Sequence, residues 1–285
     1  MEKGTLILEG GASRGVFTAG VMDYFMDEEL YFSHVVGVSA GACSAVDYLS
    51  KQRGRTRKCM IPMNKSLNYY HSIPELFRKR SLMDMELIFE IMPREIYPFD
   101  FETFFSSEVH CEIVTTNCLT GEAEYMTERE DEERLLKMVR ASCSLPLVSP
   151  IVKIDGIPYM DGGMADSIPL ERGLSHGNEK IVVVLTKDEG YYKKPIPKRL
   201  AQIYHRKYRS YPHFVQAIMQ RERVYNETMH KVEELEKEGK IFVIRPKIKL
   251  ISQMERNKQQ MQKFYEHGYG LMEEEFGGLM EYLRG

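Results

Sequence analysis

The chain has 285 residues and a formal net charge of −3 at pH 7, with 39 Lys or Arg against 42 Asp or Glu. That length suits one large α/β domain or about two smaller domains. The near-neutral charge and the balance of 43% hydrophobic and 28% charged residues exclude a dedicated nucleic-acid binder and a disordered chain, so no nucleic-acid partner is expected.

Two strand–turn–helix units begin the chain. A strand at Thr5–Glu9 leads through the glycine-rich turn at residues 10–15 into a helix from Val16 to about Met26. A second strand at His34–Val38 leads directly into a helix from Ala40 to about Ser50. Two such units in succession predict a parallel sheet that is covered by helices.

The rest of the chain alternates between strands and longer helical segments. Further strands are predicted at Val109–Asn117, Glu122–Thr127, Ile151–Met160, Ile181–Thr186 and Ile241–Ile244. Helices are predicted over most of Lys51–Ser106, at Glu130–Ala141, as an insertion from about Pro197 to Gly239, and as a tail over Gln253–Leu283. The β-branched, apolar segment Ile181–Thr186 belongs in the buried centre of the sheet.

No Pro-, Gly- or Ser-rich linker divides the chain. We therefore expect a core at residues 1–190 and a helical extension at residues 191–285, which adds one further strand and packs on the core.

Gly37-Val38-Ser39-Ala40-Gly41 matches the G-x-S-x-G nucleophile elbow. Small residues on both sides of the serine let a strand and a helix approach closely, so the serine is presented at the helix N-terminus, where negative charge is favoured. The alternative is an ordinary strand–helix turn with an N-cap serine. Only about one strand can precede the strand that leads into Ser39, which disfavours the usual α/β-hydrolase topology.

The glycine-rich turn comprises Gly10, Gly11, Ala12, Ser13, Arg14 and Gly15. A turn that follows a strand and opens a helix suits anion binding by backbone N–H groups. The middle glycine of the dinucleotide fingerprint and the Gly-Lys-Ser/Thr of a P-loop are both missing. Beside an elbow, the turn fits an oxyanion hole better than a nucleotide site. Arg14 either steers a phosphate head group or caps the helix.

Asp161, followed by Gly162 and Gly163, is the candidate base for Ser39, although Asp-Gly-Gly is also a common turn sequence. Partial burial and oxyanion stabilisation would have to assist an aspartate base, because its unperturbed pKa is about 3.9. Asp155 and Asp166 are neighbouring alternatives for the base, but a structural role is expected for both. None of the eight histidines lies in a recognisable motif, and His176 is the best triad candidate by chain order.

The glycine-rich loop that ends in Arg-Gly, the elbow and the later Asp-Gly-Gly together resemble the patatin-like phospholipase family. The resemblance covers about residues 5–190 and includes the stretch 141–150, while the tail is similar to a bacterial subgroup. Two positions depart from the usual pattern: Ala12 replaces the third glycine of the loop, and Gly163 stands where many members have alanine.

The resemblance implies an α/β fold of patatin type, a three-layer sandwich with a mostly parallel central sheet. It also implies hydrolysis of lipid acyl esters of phospholipid or lysophospholipid type, through a Ser39–Asp161 dyad and an acyl-enzyme, with no metal or organic cofactor. Two alternatives stay open. One is a non-catalytic lipid- or protein-binding relative, for which Ala12 is the hint, and the other is a Ser-His-Asp esterase.

The five cysteines lie far apart and form no C-x-x-C pair, and the histidines form no H-E-x-x-H motif, so neither a disulfide framework nor a zinc site is expected. Reduced thiols fit a cytoplasmic protein. The apolar run near the N-terminus is too short for a signal peptide, and no run is long enough to cross a bilayer. Contact with lipid is therefore expected only from the membrane surface.

Three basic segments, at residues 51–58, 78–80 and 191–211, indicate peripheral contact with anionic lipid at the inner membrane surface, and a solvated basic face explains each equally well. Five methionines lie in the variable helical region, where they either line a flexible site for an acyl chain or fill an ordinary core. They are Met60, Met63, Met83, Met85 and Met92. The oligomeric state stays open.

Overall fold

One mixed sheet forms the centre of the computed structural model, which describes residues 1–62, 67, 69–71, 78 and 81–285. Within these residues the strands are β1 (Glu2–Leu8), β2 (Phe32–Val38), β3 (His110–Asn117), β4 (Ala123–Met126), β5 (Val152–Ile154), β6 (Ile157–Asp161), β7 (Lys180–Val184) and β8 (Phe242–Ile244). Hydrogen bonds connect them in the order β5-β6-β3-β2-β1-β7-β8, and β4 also pairs with β3. Strands β3, β2, β1, β7 and β8 are mutually parallel, whereas the pairings of β4, β5 and β6 are antiparallel.

Helices cover both faces of the sheet. They are α1 (Gly15–Asp27), α2 (Ala40–Leu49), α3 (Arg55–Met60), α4 (Leu87–Ile96), α5 (Phe101–Ser106), α6 (Glu132–Ser142), α7 (Leu170–Ser175), α8 (Lys198–Lys207), α9 (Pro212–Lys237) and α10 (Lys258–Arg284). Along β1, Leu6 and Leu8 pack with α1, α2, α6 and α10, while Ile7 packs with α7 and α9. This alternation, which follows from the two-residue period of a strand, produces the three layers that the sequence predicts.

The predicted strands are all present, and the segment around Ile181 lies in the interior of the sheet between β1 and β8, as predicted. The insertion consists of two helices, α8 and α9, separated by a turn at Tyr208–Tyr211. The tail helix begins at Lys258, not at Gln253, because Asn257 caps it and accepts hydrogen bonds from the N–H groups of Gln259 and Gln260. Residues 245–257 form a loop without helical structure.

The helical region between α2 and β3 is shorter than predicted in the part that is described. It contains α3, α4 and α5, and α4 is wound as a π-helix around Pro93. A π-helical turn widens the backbone hydrogen-bond ladder, which accommodates a proline that has no N–H to donate. Met63, Lys79 and Arg80, which the sequence analysis singled out, lie outside the described residues.

The C-terminal helix α10 packs closely against α1, the helix that follows the glycine-rich turn. A Cβ atom on Gly20 would lie 2.2 Å from the carbonyl oxygen of Tyr265, and one on Gly268 would lie 2.2 Å from the carbonyl oxygen of Phe17. Only glycine permits this separation of the two backbones. No helix of the described residues is both long and apolar enough to span a membrane.

Candidate active site

Ser39 occupies the sharp turn between β2 and α2. Its backbone has φ of 53° and ψ of −122°, a conformation that costs a residue with a side chain of the order of 1–3 kcal/mol. Gly37 and Gly41 allow the turn, because a Cβ on Gly37 would lie 2.7 Å from Ala42 Cα and one on Gly41 would lie 2.3 Å from the Leu8 carbonyl oxygen. Val38 ends the strand and Ala40 begins the helix, so the geometry matches that predicted for the elbow.

Strand β3 brings Asp161 next to Ser39. Val38, the residue before Ser39, is paired with Val114, and Asp161 is paired with the next residue of β3, Thr115. Because β4 pairs with β3 over the same residues, β4 must occupy one edge of β3 while β2 and β6 follow one another along the other edge. The end of β2 and the end of β6 therefore meet.

The Asp161 carboxylate is only 2% exposed, and its two oxygens have different surroundings. Oδ1 accepts a 2.8 Å hydrogen bond from the N–H of Gly163, whereas Oδ2 has no hydrogen-bond partner among the described residues. Burial raises the pKa of Asp161 above its ordinary value, and the nearby Ser39 hydroxyl and the Arg221 guanidinium oppose that rise. A carboxylate with one free oxygen and a raised pKa is suited to accept a proton.

Glycines 162 and 163 hold this carboxylate in place. A Cβ on Gly162 would lie 2.2 Å from the Val114 carbonyl oxygen, so this residue must be small where β6 leaves β3. A Cβ on Gly163 would lie 3.0 Å from Asp161 Oδ1, which is tighter than an ordinary contact. An alanine at this position would therefore require a small shift of the carboxylate.

The glycine-rich turn lies beside the elbow. A Cβ on Gly10 would lie 3.0 Å from Ser39 Cβ, and one on Gly15 would lie 2.5 Å from Ala40 Cβ, so the two turns are in direct contact. Within the described residues, the N–H groups of Gly11 and Ala12 donate no hydrogen bond to the protein. Unused N–H donors beside a serine hydroxyl can stabilise an oxyanion.

Ala12 has φ of 48°, a backbone conformation that glycine adopts more readily than alanine. The left-handed region costs a residue with a Cβ roughly 1–2 kcal/mol, and the greater freedom of glycine in the unfolded chain offsets roughly half of that. The turn therefore keeps a glycine-like backbone although it carries a methyl group.

We expect Ala12→Gly to raise the free energy of unfolding by up to about 1 kcal/mol, because it removes this strain. Urea denaturation measures the change. Ala201→Gly, in helix α8, is the matched control and should lower stability by about 1 kcal/mol, because glycine is unfavourable inside a helix. A loss of stability in both variants would contradict the strain assigned to Ala12.

The rest of the turn is fixed by residues far along the chain. The N–H of Ser13 donates to the carbonyl of Gln253 at 3.0 Å, and Arg14 Nε donates to the carbonyl of Ile251 at 2.7 Å. Arg14 thus anchors the loop that precedes α10, and its buried Nη1 has no partner among the described residues.

A buried network behind the turn was not predicted from the sequence. Glu9 is fully buried, bonds to Lys187, and accepts hydrogen bonds from Thr186 and from the Tyr225 hydroxyl at 3.0 Å. Although burial acts to raise it, Lys187 holds the pKa of Glu9 below its ordinary value. Lys187 Nζ also donates to the Gly10 carbonyl at 3.2 Å, so the network fixes the start of the turn. Glu9 directly follows β1 and Lys187 lies three residues after the end of β7, so polar residues close behind parallel strands were the available signal.

Ser142 supports the elbow from the end of α6. Its hydroxyl accepts a 2.8 Å hydrogen bond from the N–H of Ser39 and donates at 2.7 Å to the carbonyl of Val114. The next residue, Cys143, lies 3.6 Å from Cys43, measured between the sulfur atoms. In the sequence, residues 142 and 143 stand out only as part of the stretch 141–150 that resembles the family, because contacts across a hundred residues leave no local pattern.

Ser39 lines two neighbouring cavities, and Ala12 also lines both of them. The larger, of about 650 Å³, is mostly apolar, and its wall includes Met60, Met83, Met85 and Phe89. Met92 is buried nearby but is not part of the lining. The smaller, of about 300 Å³, contains Asp161 and three cationic residues: Lys187, Lys193 and Arg221.

His176, the triad candidate, lies at the opposite end of the sheet. Its ring stacks on His34 with centroids 3.6 Å apart, and His34 precedes Ser39 by five residues of strand, or about 16 Å.

His34, His110 and His176 could each offer a ligand atom within 4.8 Å of the others, although the sequence contains no familiar metal motif. Both ring nitrogens of His34 already bond to Thr5 and Glu112, and near-parallel stacked rings do not direct their lone pairs to one point.

Three arginines of the first basic segment form ion pairs or hydrogen bonds with other side chains of the protein. Arg53 pairs with Asp27, Arg55 pairs with the buried Asp47, and Arg57 donates to Gln262 at 2.8 Å. Lys51 and Lys58 are exposed, as is Arg78. Four exposed basic side chains of the third segment lie on α8, namely Lys198, Arg199, Arg206 and Lys207, and Lys194 and Arg209 are exposed on either side of this helix.

Two family models match separate parts of the chain. The one described as Patatin-like phospholipase matches residues 6–173, which is more than half of the chain, and one described as a domain of unknown function (DUF6363) matches residues 211–284. The uncharacterized protein YjjU of Escherichia coli strain K12 is 28% identical over 206 residues. That match covers 67% of this chain and 54% of YjjU, so the chain spans about half the length of this relative.

The fold is also that of a solved structure. The crystal structure of VipD from Legionella pneumophila has a TM-score of 0.52 at 12% identity, covering 99% of this chain and 67% of VipD. Identity this low establishes the fold alone, and it confirms the predicted α/β architecture with its helical C-terminal region. Since the matched residues 6–173 contain the glycine-rich turn, the elbow and the strand that ends at Asp161, the chain belongs to the patatin-like phospholipase family.

Proposed function

We propose that this protein is a serine acyl hydrolase that cleaves phospholipid- or lysophospholipid-type acyl esters through an acyl-enzyme on Ser39, with Asp161 as the base. The family is one of lipid acyl hydrolases. The observation that carries the proposal is the buried Asp161 carboxylate, which has an unpartnered oxygen beside a strained serine on the wall of an apolar cavity.

In the proposed reaction, Asp161 takes the hydroxyl proton of Ser39 while the serine oxygen attacks the ester carbonyl carbon. The N–H groups of Gly11 and Ala12, with that of Ala40, stabilise the negative oxygen of the tetrahedral intermediate. The intermediate collapses, the bond to the alcohol breaks, and Asp161 returns the proton to the leaving oxygen. Asp161 then takes a proton from water, which attacks the carbonyl carbon of the acyl-enzyme. The bond to the Ser39 oxygen breaks, the acid is released, and Asp161 returns the proton to Ser39. No step requires a metal or an organic cofactor.

Covalent labelling with a fluorophosphonate tests the nucleophile. We expect the wild type to gain one adduct by intact mass and Ser39→Ala to gain none. Ser44→Ala is the matched control, because Ser44 is a buried serine on the same helix and its hydroxyl has no partner among the described residues. Absence of labelling in a folded wild type, with detergent or lipid present, would favour the non-catalytic binding relative. Labelling of Ser39→Ala would assign the nucleophile elsewhere.

The Ser-His-Asp alternative makes a different prediction for two histidines. His71 lines the apolar cavity with Ser39, and His176 is the candidate by chain order. We expect kcat at saturating substrate to stay within about threefold of the wild type in His71→Ala and in His176→Ala, because Asp161 performs the proton transfer. A fall in either variant as large as that of Ser39→Ala would establish a histidine base and overturn the dyad.

The pH dependence of kcat/KM should report the pKa of Asp161 in the free enzyme. Activity requires the ionised carboxylate, so it should be lost on the acid side at a pH above the ordinary aspartate value, because burial raises this pKa. Arg221→Gln should move the loss to still higher pH, since the guanidinium opposes the rise. Arg223→Gln, which removes an exposed cation paired with Glu227, should leave the profile unchanged. No displacement in Arg221→Gln would exclude Asp161 as the titrating group.

Peripheral contact with anionic membrane from the cytoplasmic side is the second part of the proposal. Helix α8 carries the four exposed basic residues named above, and its Ile203 is 52% exposed. The neighbouring Tyr204 lines the 300 Å³ cavity, so this basic surface lies at an approach to Ser39. Replacement of the four basic residues by Gln should weaken sedimentation with anionic vesicles and spare hydrolysis of a water-soluble ester. Unchanged sedimentation would contradict a role for α8.

A further inference from the structure

The 300 Å³ cavity differs from the apolar cavity in charge. Lys187, Lys193 and Arg221 line it, and Asp161 is its one acidic wall residue in the described part of the chain. The remaining wall is neutral and includes Ser167, Tyr204 and Gln253. Its volume is at the lower end of the range for small-molecule sites. Because Ser39 borders both cavities, an ester at Ser39 can direct its acyl chain into one and its alcohol into the other.

Two of the three cations, Lys193 and Arg221, have N–H donors that form no hydrogen bond with a carboxylate of the described residues. Lys187 forms a buried ion pair with Glu9, but among the described residues neither Lys193 nor Arg221 is in an ion pair. Arg221 Nε donates at 2.5 Å to the Gly163 carbonyl, and its two Nη groups donate no hydrogen bond to any described residue. Lys193 Nζ donates to Ser167 at 3.0 Å and lies 3.5 Å from the Tyr225 ring centroid.

Glu9 and Asp161 offset only part of the positive charge of these three cations. Burial, with Arg221 and Lys187 close by, lowers the pKa of Lys193 well below its ordinary value. An anion placed between Lys193 and Arg221 would restore the favourable balance, and a guanidinium fork with a neighbouring ammonium is well suited to phosphate. Asp161 does not replace this anion throughout the proposed reaction, because its carboxylate loses its charge when it takes the proton of Ser39.

We propose that the 300 Å³ cavity binds the phosphate of the leaving alcohol, so that Arg221 and Lys193 select lipids whose head group carries net negative charge. This inference rests on the function proposed above. A zwitterionic head group would place its ammonium in a cavity that already holds three cations, and a neutral glyceride would leave Arg221 and Lys193 unpaired.

The selecting residues lie outside the family match. Lys187 and Lys193 follow β7, and Arg221 lies on α9, within the second matched domain at residues 211–284. The family core thus supplies Ser39 and Asp161, and the following segments supply the charge that faces the alcohol.

Hydrolysis of three monoacyl substrates with the same acyl chain tests the selection. They are 1-acylglycerol 3-phosphate, the corresponding phosphocholine and the monoacylglycerol, measured in neutral detergent at a pH where kcat/KM no longer changes. We expect the wild type to prefer the phosphate over the monoacylglycerol by about tenfold or more. Arg221→Gln and Lys193→Gln should each lower this ratio by about tenfold, and Arg223→Gln should leave it unchanged. The ratio cancels any general effect on Asp161, so an equal loss on all three substrates would overturn the inference.

Binding without turnover separates this inference from the function on which it rests. Glycerol 3-phosphate and inorganic phosphate are titrated calorimetrically into Ser39→Ala, alone and combined with Arg221→Gln. We expect glycerol 3-phosphate to bind at least tenfold more weakly when Arg221 is replaced. Binding in the absence of any hydrolysis would refute the proposed function but retain the cavity. Hydrolysis with no charge preference would refute the cavity alone, and tighter binding of inorganic phosphate would identify a free-phosphate site.

Discussion

Asp161→Asn should reduce kcat by about 10⁴-fold and at the same time raise the melting temperature. The fall in kcat follows because an amide cannot accept the Ser39 proton, and loss of a base in a hydrolytic site of this kind has an effect of about this size. The amide oxygen can still accept the hydrogen bond that Gly163 donates to Oδ1. The site should therefore keep its shape.

The gain in stability follows from the raised pKa of Asp161. Burial makes the pKa of Asp161 higher in the folded protein than in the unfolded chain. Protonation of this carboxyl group therefore stabilises the fold, and the full effect is present at a pH below the pKa of the unfolded chain. That stability is lost as the pH rises through the folded value, so at neutral pH the ionised group destabilises the fold. Asparagine carries no charge at any pH. The melting temperature of Asp161→Asn should thus exceed that of the wild type at pH 7, and the two should converge as the pH is lowered.

Asp166→Asn is the matched control for the loss of kcat. Asp166 lies five residues further on, and its carboxylate accepts a 2.7 Å hydrogen bond from the Tyr125 hydroxyl. Burial also raises the pKa of Asp166, but the proposed reaction does not use this group. Retained kcat in Asp161→Asn, or a comparable loss in Asp166→Asn, would show that the base has been assigned to the wrong residue.

Removal of Glu9 should have the largest effect on folding. We expect Glu9→Gln to lower the free energy of unfolding by about 3–5 kcal/mol, because Lys187 is then left in the interior without its counter-ion. Urea denaturation with a two-state fit measures the loss. The Gly10 carbonyl, which Lys187 also contacts, should shift, so residual activity should fall as well.

A compensating variant distinguishes the loss of the ion pair from a general disturbance of the core. Glu9→Gln combined with Lys187→Met removes both charges, and it should recover most of the lost stability, because a buried pair replaced by neutral groups is often nearly neutral in effect. Glu227→Gln breaks the exposed pair with Arg223 and should change stability by less than about 1 kcal/mol. If the double variant is no more stable than Glu9→Gln, the network does not act through its charges.

The elbow and the glycine-rich turn could be located from the sequence because their geometry has a local cause. Glycine at positions 37 and 41 is required by contacts with residues close in the chain or in the adjacent strand, and a strand precedes each turn. Asp161 could be selected for the same reason, since Gly162 must approach Val114 closely. The α/β fold followed from alternating strands and helices.

The parts that could not be predicted depend on partners far apart in the sequence. Nothing in residues 34–38 or 157–161 reveals that β2 and β6 share one edge of β3, which is what brings Ser39 and Asp161 together. Lys193 and Arg221 were seen only as charges in a basic or helical segment, because their burial depends on how α9 packs over Gly163. The start of the tail helix was placed too early because the cap at Asn257 was not recognised.

The anchoring of Ser13 and Arg14 to residues 251–253 means that the glycine-rich turn is fixed only after a late part of the chain has been synthesised. Chain elements fold in the order in which they leave the ribosome, subject to the contacts that are available. When residue 173 has emerged, Ser39 and Asp161 are both present, but β7, Lys187 and the anchoring loop are not. A chain that lacks residues 251–253 therefore has no partner to fix the glycine-rich turn, so under the proposed function it is expected to stay inactive until these residues have been translated.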